Sequence, residues 1–265
     1  MKNKKFLHVC ALLITIIFYS KYNPIIGFVF ILIYGLAIYY PTILYYIAMI
    51  KYSPDNFQES NKYFDRMNRC FYSETKFRIT YAYYLILQND VDKAEELIKS
   101  IQNKEISEKD KIQLCLNYSL LMWRKNDLDQ AIAILKKANA DAKHSTIYQN
   151  LGYFLILKGD YNAALEYNLE ALEFNSSSSG IIDNLGQTYY YLQEYDKAIE
   201  LFEEVISKKP TFATPYYYYG LTLIKKGNSE KALQVLKKGL DCNFNALSIT
   251  TKEDLEAKIL ELGNN

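Results

Sequence analysis

Residues 182–210 read IDNLGQTYYYLQEYDKAIELFEEVISKKP. Within this stretch Leu185-Gly186 is followed 12 residues later by Ala198. The same arrangement stands 34 residues earlier, as Leu151-Gly152 with Ala164, and 34 residues later, as Tyr219-Gly220 with Ala232. A fixed period of roughly 20–50 residues marks a stack of repeated supersecondary units. Such stacks expose long surfaces for holding other molecules.

The period is helical. A glycine inside a helix costs about 1 kcal/mol relative to alanine, so Gly152, Gly186 and Gly220 imply a compensating gain. Close approach of a second helix supplies one, with Ala164, Ala198 and Ala232 as the small residues expected opposite them. Gly159-Asp160, Gln193-Glu194 and Gly227-Asn228 fall between the two helices, where glycine or asparagine suits a left-handed helix end. Weaker copies precede them: Ser119 and Ala131 around Asn126-Asp127, and Ala82 and Ala94 around Asn89-Asp90. Asn56, Phe57, Ser60 and Phe64 read as the second helix of a decayed unit. The array is expected over 54–244. A partial repeat covers 54–70, and full repeats cover about 75–108, 112–144, 145–178, 179–212 and 213–246. A terminal helix over 250–263, with Leu255, Ile259 and Leu262 on one face, is expected to cap the stack. Thr251 and Asp254 have capping-box spacing at its start.

The unit Ile182-x-x-Leu185-Gly186-x-x-Tyr189, Ala198-x-x-x-Phe202, Pro210 resembles the tetratricopeptide repeat (TPR), with Ile182 in place of that pattern's Trp. The resemblance implies an all-α, right-handed superhelical solenoid of helix-turn-helix units. It further implies that ligands lie along an inner face lined by the first helix of each repeat. The residue before the motif Leu is often Asn in that family, where it can hydrogen-bond the backbone of a bound peptide. Here it is Asn117, Asn150, Asn184 and then Tyr218. Neighbouring inner-face positions include Arg124, Tyr153, Gln187, Tyr191 and Tyr217. The family's carboxylate-clamp members use Lys and Arg there, and only Arg124 and Lys225 match. A tyrosine- and leucine-lined groove instead suits an apolar or aromatic peptide, or a partner helix. The side chains of Asn150, Asn184 and Tyr191 are expected to face solvent in the unbound chain. Glu203, on the opposite face, is expected to serve neither folding nor binding.

Residues 1–50 differ in composition. They hold four Lys and no Asp or Glu, a charge of +4, against −3 for the remainder of a chain whose total is +1. Phe6–Ser20 is 15 residues without a formal charge, and Tyr22–Ile50 is 29. A helix needs about 20 apolar residues to cross a bilayer. The preferred reading of residues 1–50 is a transmembrane hairpin, with helices over about 6–21 and 24–46 turning at Lys21-Tyr22-Asn23-Pro24. Pro41 is expected to kink the second helix near its exit, and Tyr39, Tyr40, Tyr45 and Tyr46 to lie near the headgroups. A single span, a cleaved signal peptide and, for the first run alone, a buried core helix are the alternatives. Lys2, Lys4, Lys5 and Lys51 against a lone Lys21 place the repeats on the cytoplasmic side. The Ile, Asn, Lys and Tyr content suggests an AT-rich bacterial genome, hence a bacterial cell membrane.

Chemistry finds little footing. Neither His8 nor His144 has a carboxylate or cysteine partner at ligand spacing, and the four cysteines form no Cys-x-x-Cys pair. No phosphate loop, metal site or cofactor is implied. The slightly acidic repeat region argues against nucleic acid, and nothing points to a small-molecule substrate or an enzyme. The expected function is a membrane-anchored scaffold that binds a protein segment. The competing reading is an assembly subunit of a membrane complex that uses the hairpin as its contact.

Overall fold

The computed structural model describes residues 2–21, 23–54, 56–244 and 248–263, with side chains from His8 onward. Tyr22, in the expected turn, and residues 245–246, at the expected end of the last repeat, lie outside the described residues. Fourteen helices and no strand occur among the described residues. The chain packs as two compact units, Met1–Tyr81 and Ala82–Asn265.

The first unit holds α1 (Lys2–Lys21), α2 (Pro24–Lys51), α3 (Gln58–Arg69) and the start of α4 (Thr75–Leu87). Asn23 caps α2 by accepting from the Ile25 N–H at 2.8 Å, and Pro24 begins the helix where its missing N–H costs nothing. Gly27 lets α1 and α2 approach: a Cβ there would lie 3.2 Å from the Thr15 carbonyl. Further along the pair, Phe18 stacks near Phe30, and His8 Nδ1 lies 3.0 Å from the Tyr34 hydroxyl.

Helix α2 runs on through Pro41 to Lys51, beyond the end expected near residue 46. Its 28 residues make about 42 Å, longer than a bilayer core of about 30 Å. The last turns accordingly pack on protein. Leu44 and Ala48 are buried, and Tyr45 stacks on Phe77 at 4.3 Å and meets Phe64 edge-on at 6.3 Å. Tyr45 is thus half-buried against the helices of this unit. Tyr39, Tyr40 and Tyr46 are exposed, as are Ile25, Phe28, Ile33 and Leu36 along the rest of α2. This is the one helix among the described residues long and apolar enough to cross a membrane; His8–Lys21 is a shorter apolar segment.

The second unit continues with α5 (Val91–Gln102), α6 (Glu108–Arg124), α7 (Leu128–Asp141), α8 (Ser145–Lys158), α9 (Tyr161–Phe174), α10 (Ser179–Tyr191), α11 (Tyr195–Ser207), α12 (Thr214–Lys225), α13 (Ser229–Gly239) and α14 (Lys252–Gly263). Helices α6–α7, α8–α9, α10–α11 and α12–α13 pack as hairpins, and each second helix packs on the first helix of the next pair. Each hairpin turn contains one left-handed residue: Asn126, Gly159, Gln193 and Gly227, and Asn89 repeats this before α5. Asp90, Asp127, Asp160 and Asn228 then cap the second helix through their side chains, whereas Glu194 does not.

The glycines are tight contacts, but their partners are not the expected alanines. A Cβ on Gly186 would lie 2.8 Å from Phe202, one on Gly220 2.6 Å from Leu236, and one on Gly152 inside the contact distance of Asn168. Each partner stands one turn beyond Ala198, Ala232 or Ala164. Those alanines are fully buried, but the helix crossing sets the next turn against the glycine. Behind this notch Phe202 also faces Tyr219 of the following repeat at 6.2 Å. The Tyr219 hydroxyl donates to Glu203 at 2.6 Å, and Lys231 reaches the same carboxylate at 2.8 Å. Glu203 therefore has a structural task, contrary to expectation. The first unit holds the same device: Phe64 stacks on Tyr81 at 4.8 Å, and Tyr81 donates to Asp65 at 2.6 Å. At the far end Thr251 and Asp254 close a capping box, and α14 buries Leu255 against Ala213 and Leu236.

Two substitutions test the hairpin, read by chemical unfolding of the full chain in detergent. Gly186→Leu drives side-chain atoms into Phe202 and is expected to cost about 1–3 kcal/mol or more. Gln193→Gly relieves a left-handed non-glycine residue and is expected to add about 1 kcal/mol.

Candidate functional site

The first helices α8, α10 and α12 lie side by side. On α10 one face carries Ile182, which packs into the core with Ala198, Phe202 and Tyr219. The adjoining face carries Asp183 and Gln187, one turn apart and therefore neighbours. Both are buried, at 3% and 1% exposure. Gln187 Nε2 donates to Asp183 Oδ2 at 3.0 Å, while Asp183 Oδ1 and Gln187 Oε1 have no hydrogen-bond partner. Burial pushes the Asp183 carboxyl well above the ordinary carboxylate range, against the opposing pull of the Gln187 amide.

Tyrosines surround this pair. Tyr153 of α8 and Tyr218 of α12 both lie within electrostatic reach of Asp183. The Tyr191 and Tyr218 hydroxyls share a hydrogen bond of 2.8 Å. Tyr191 stacks on Tyr161 at 4.7 Å, nearly parallel, and Tyr217 meets Tyr218 edge-on at 5.6 Å. Burial raises Tyr153, Tyr217 and Tyr218 above the usual phenol range, so these rings stay neutral at physiological pH.

Of the expected inner-face residues, the structure gathers Tyr153, Gln187, Tyr191 and Tyr218 around one point, with Tyr217 beside Tyr218. It does not display the asparagines as a free ladder. Asn184 is 4% exposed and donates through Nδ2 to the Gln149 carbonyl of the preceding repeat at 2.7 Å. Asn117 is fully buried and accepts from Gln113 Nε2 at 3.0 Å. Asn150 is half-buried on α8. Arg124, at the end of α6, lies over Trp123 with its guanidinium 5.6 Å from the ring centroid. The expectation that Asn150, Asn184 and Tyr191 face solvent thus fails for Asn184, while Asn150 and Tyr191 are half-buried; Asn117, Gln187 and Tyr153 are buried as well. Side-by-side packing of first helices covers positions that a single helix would expose.

Two residues that matter here escaped the sequence reading. Asp183 is one; its signal was an acid flanked by Ile182 and Asn184 in an apolar turn, four residues before a glutamine. Asn168 is the other. It fills the Gly152 notch and donates to Thr188 Oγ1 of the next repeat at 3.1 Å. The fate of Asn184 gives a direct check. Asn184→Ala removes a buried donor and strands the Gln149 carbonyl, so it is expected to lower the unfolding free energy by about 1–3 kcal/mol. A change within error would leave this stitch without a role.

Tetratricopeptide-repeat family models match residues 145–178, 184–212 and 201–234. The chain is 22% identical over 188 residues to a TPR repeat-containing protein of Methanocaldococcus jannaschii, covering 64% of this chain and 32% of that protein. It is 29% identical over 98 residues to small glutamine-rich tetratricopeptide repeat-containing protein 2 of Saccharomyces cerevisiae, covering 37% of this chain and 28% of that protein. These alignments span about a third or less of the relatives' own length. Among solved structures, MamA aligns with a TM-score of 0.48 at 25% identity, over 69% of this chain and 94% of MamA. A thermophilic TPR protein of Thermus thermophilus aligns with a TM-score of 0.49 at 18% identity, over 59% of this chain and 81% of that one. Proteins built from this repeat generally mediate protein–protein interaction. The matched segments take in α8–α9 and most of α10–α13, so these three hairpins are tetratricopeptide repeats.

Proposed function

We propose that this protein is a membrane-anchored interaction module that holds a protein segment on the face formed by α8, α10 and α12. The observation that carries the proposal is the cluster of tyrosines on that face, around polar groups that the fold itself leaves without partners. Tyrosine offers apolar area and a polar tip at low entropic cost, which suits an apolar or aromatic peptide. The exposed apolar surface of α2 supports the anchor, and α1 packed against it supports a hairpin. Apolar side chains such as Ile25, Phe28 and Ile33 are each more than half exposed, an arrangement that lipid tolerates and water penalises. The lysine distribution puts the repeats on the cytoplasmic side of a bacterial cell membrane.

A paired experiment tests this. A reporter active only outside the cytoplasm, fused at the C-terminus, is expected to be inactive, and activity would reverse the topology. In the same membranes, a photo-crosslinking residue at Tyr191 is expected to trap a protein partner whose capture drops at least several-fold with Tyr218→Ala. Trapping only through the hairpin residues would instead favour the assembly-subunit reading.

A further inference from the structure

The Asp183–Gln187 pair presents an imbalance that the fold does not correct. Two acceptor oxygens, Asp183 Oδ1 and Gln187 Oε1, stand buried on adjacent turns of one helix without a donor. Buried polar atoms are nearly always paired, so each exception asks for a cause. The surrounding hydroxyls do not supply one: Tyr191 and Tyr218 are bonded to each other. What fits two convergent acceptors is a group with donors and no acceptor. Among side chains charged at neutral pH that description is met by the lysine ammonium and the arginine guanidinium, whereas the tryptophan indole offers a single donor for two acceptors.

Charge and surroundings agree. The one carboxylate of this cluster lies among neutral tyrosine rings from α8, α10 and α12, and ring faces attract cations. An arriving cation would also restore the ionised form of a carboxyl that burial alone disfavours. We infer that Asp183 and Gln187, ringed by Tyr153, Tyr191 and Tyr218, form a subsite for one cationic side chain, lysine or arginine, of the bound segment. The inference rests on the reading of this face as the partner groove. The two acceptors have almost no accessible surface, so entry requires the surrounding side chains to move. The site inverts the charge of the carboxylate clamp: here the groove supplies the acid and the partner supplies the base.

The test uses the full chain in detergent micelles and a randomised decapeptide pool, with bound peptides sequenced. Wild type is expected to enrich lysine or arginine about tenfold at one position. Asp183→Asn keeps the shape and the Gln187 contact, and is expected to abolish that single preference without moving the unfolding midpoint. Competition by n-butylammonium or ethylguanidinium then tells lysine from arginine. Peptides that bind with no basic preference, or with one that survives Asp183→Asn, overturn the subsite and leave the groove reading standing, provided that Tyr191→Ala still weakens them. Absence of bound peptides, or indifference to Tyr191→Ala, overturns the groove reading and the subsite with it. Should Asp183→Asn fail to fold, the competition on wild type decides: displacement of bound peptide by either cation supports the subsite, and no displacement overturns it.

Discussion

The notch at the mid-helix glycine is the constraint on which the repeat depends. A side chain of the second helix sits directly on the backbone of the first: Phe202 on Gly186, Leu236 on Gly220 and Asn168 on Gly152. Any Cβ at the glycine would collide with it. The glycine costs about 1 kcal/mol of helix propensity. Burying a phenylalanine or leucine returns about 1.5–3 kcal/mol, so the exchange favours the hairpin. The same side chain then faces the next repeat, as Phe202 faces Tyr219. One contact therefore sets both the spacing within a repeat and the surface on which the following repeat stacks.

Features governed by short-range chemistry were legible in the sequence. The left-handed turns at Asn126, Gly159 and Gly227 follow from local backbone preference, and so do the Asp and Asn caps after them, whereas Gln193 takes the same conformation against that preference. The 34-residue period is visible because the notch glycine recurs in register in three repeats, at Gly152, Gly186 and Gly220. Features governed by the distance between elements were not legible. Alanine was the expected partner of the glycine because both are small. The crossing of the two helices instead brings in the residue one turn later. Asn184 was expected to face a ligand, yet its neighbour α8 stands close enough to take its amide. The tyrosines of the site were visible as a pattern, while Asp183 was not, since a lone acid in an apolar turn gains meaning only when its surroundings are known.

The notch also explains why the polar cluster lies where it does. In two repeats the notch residue is apolar and its repeat is sealed by hydrocarbon. In the repeat of α8–α9 it is Asn168, whose amide crosses to Thr188 on α10. Thr188 in turn donates back to the Asn184 carbonyl at 2.8 Å, and Asn184 donates to Gln149 on α8. The junction between these two repeats is thus joined by hydrogen bonds on both sides of α10, which fixes the rotation of that helix. A helix held in that way cannot roll to bring Asp183 to water. The carboxyl stays buried.

Recurrence of the same device in the first unit bears on how α2 is held. Phe64, Asp65 and Tyr81 reproduce the relation of Phe202, Glu203 and Tyr219, including the hydroxyl-to-carboxylate bond of 2.6 Å. The end of α2 packs onto this module through Tyr45, which touches both Phe64 and Phe77. The last turns of α2 bury Leu44 and Ala48 here. The apolar helix is therefore not tethered by a flexible linker. Its last turns share a core with the repeat-like helix α3, so force or tilt applied to one is transmitted to the other through stacked rings.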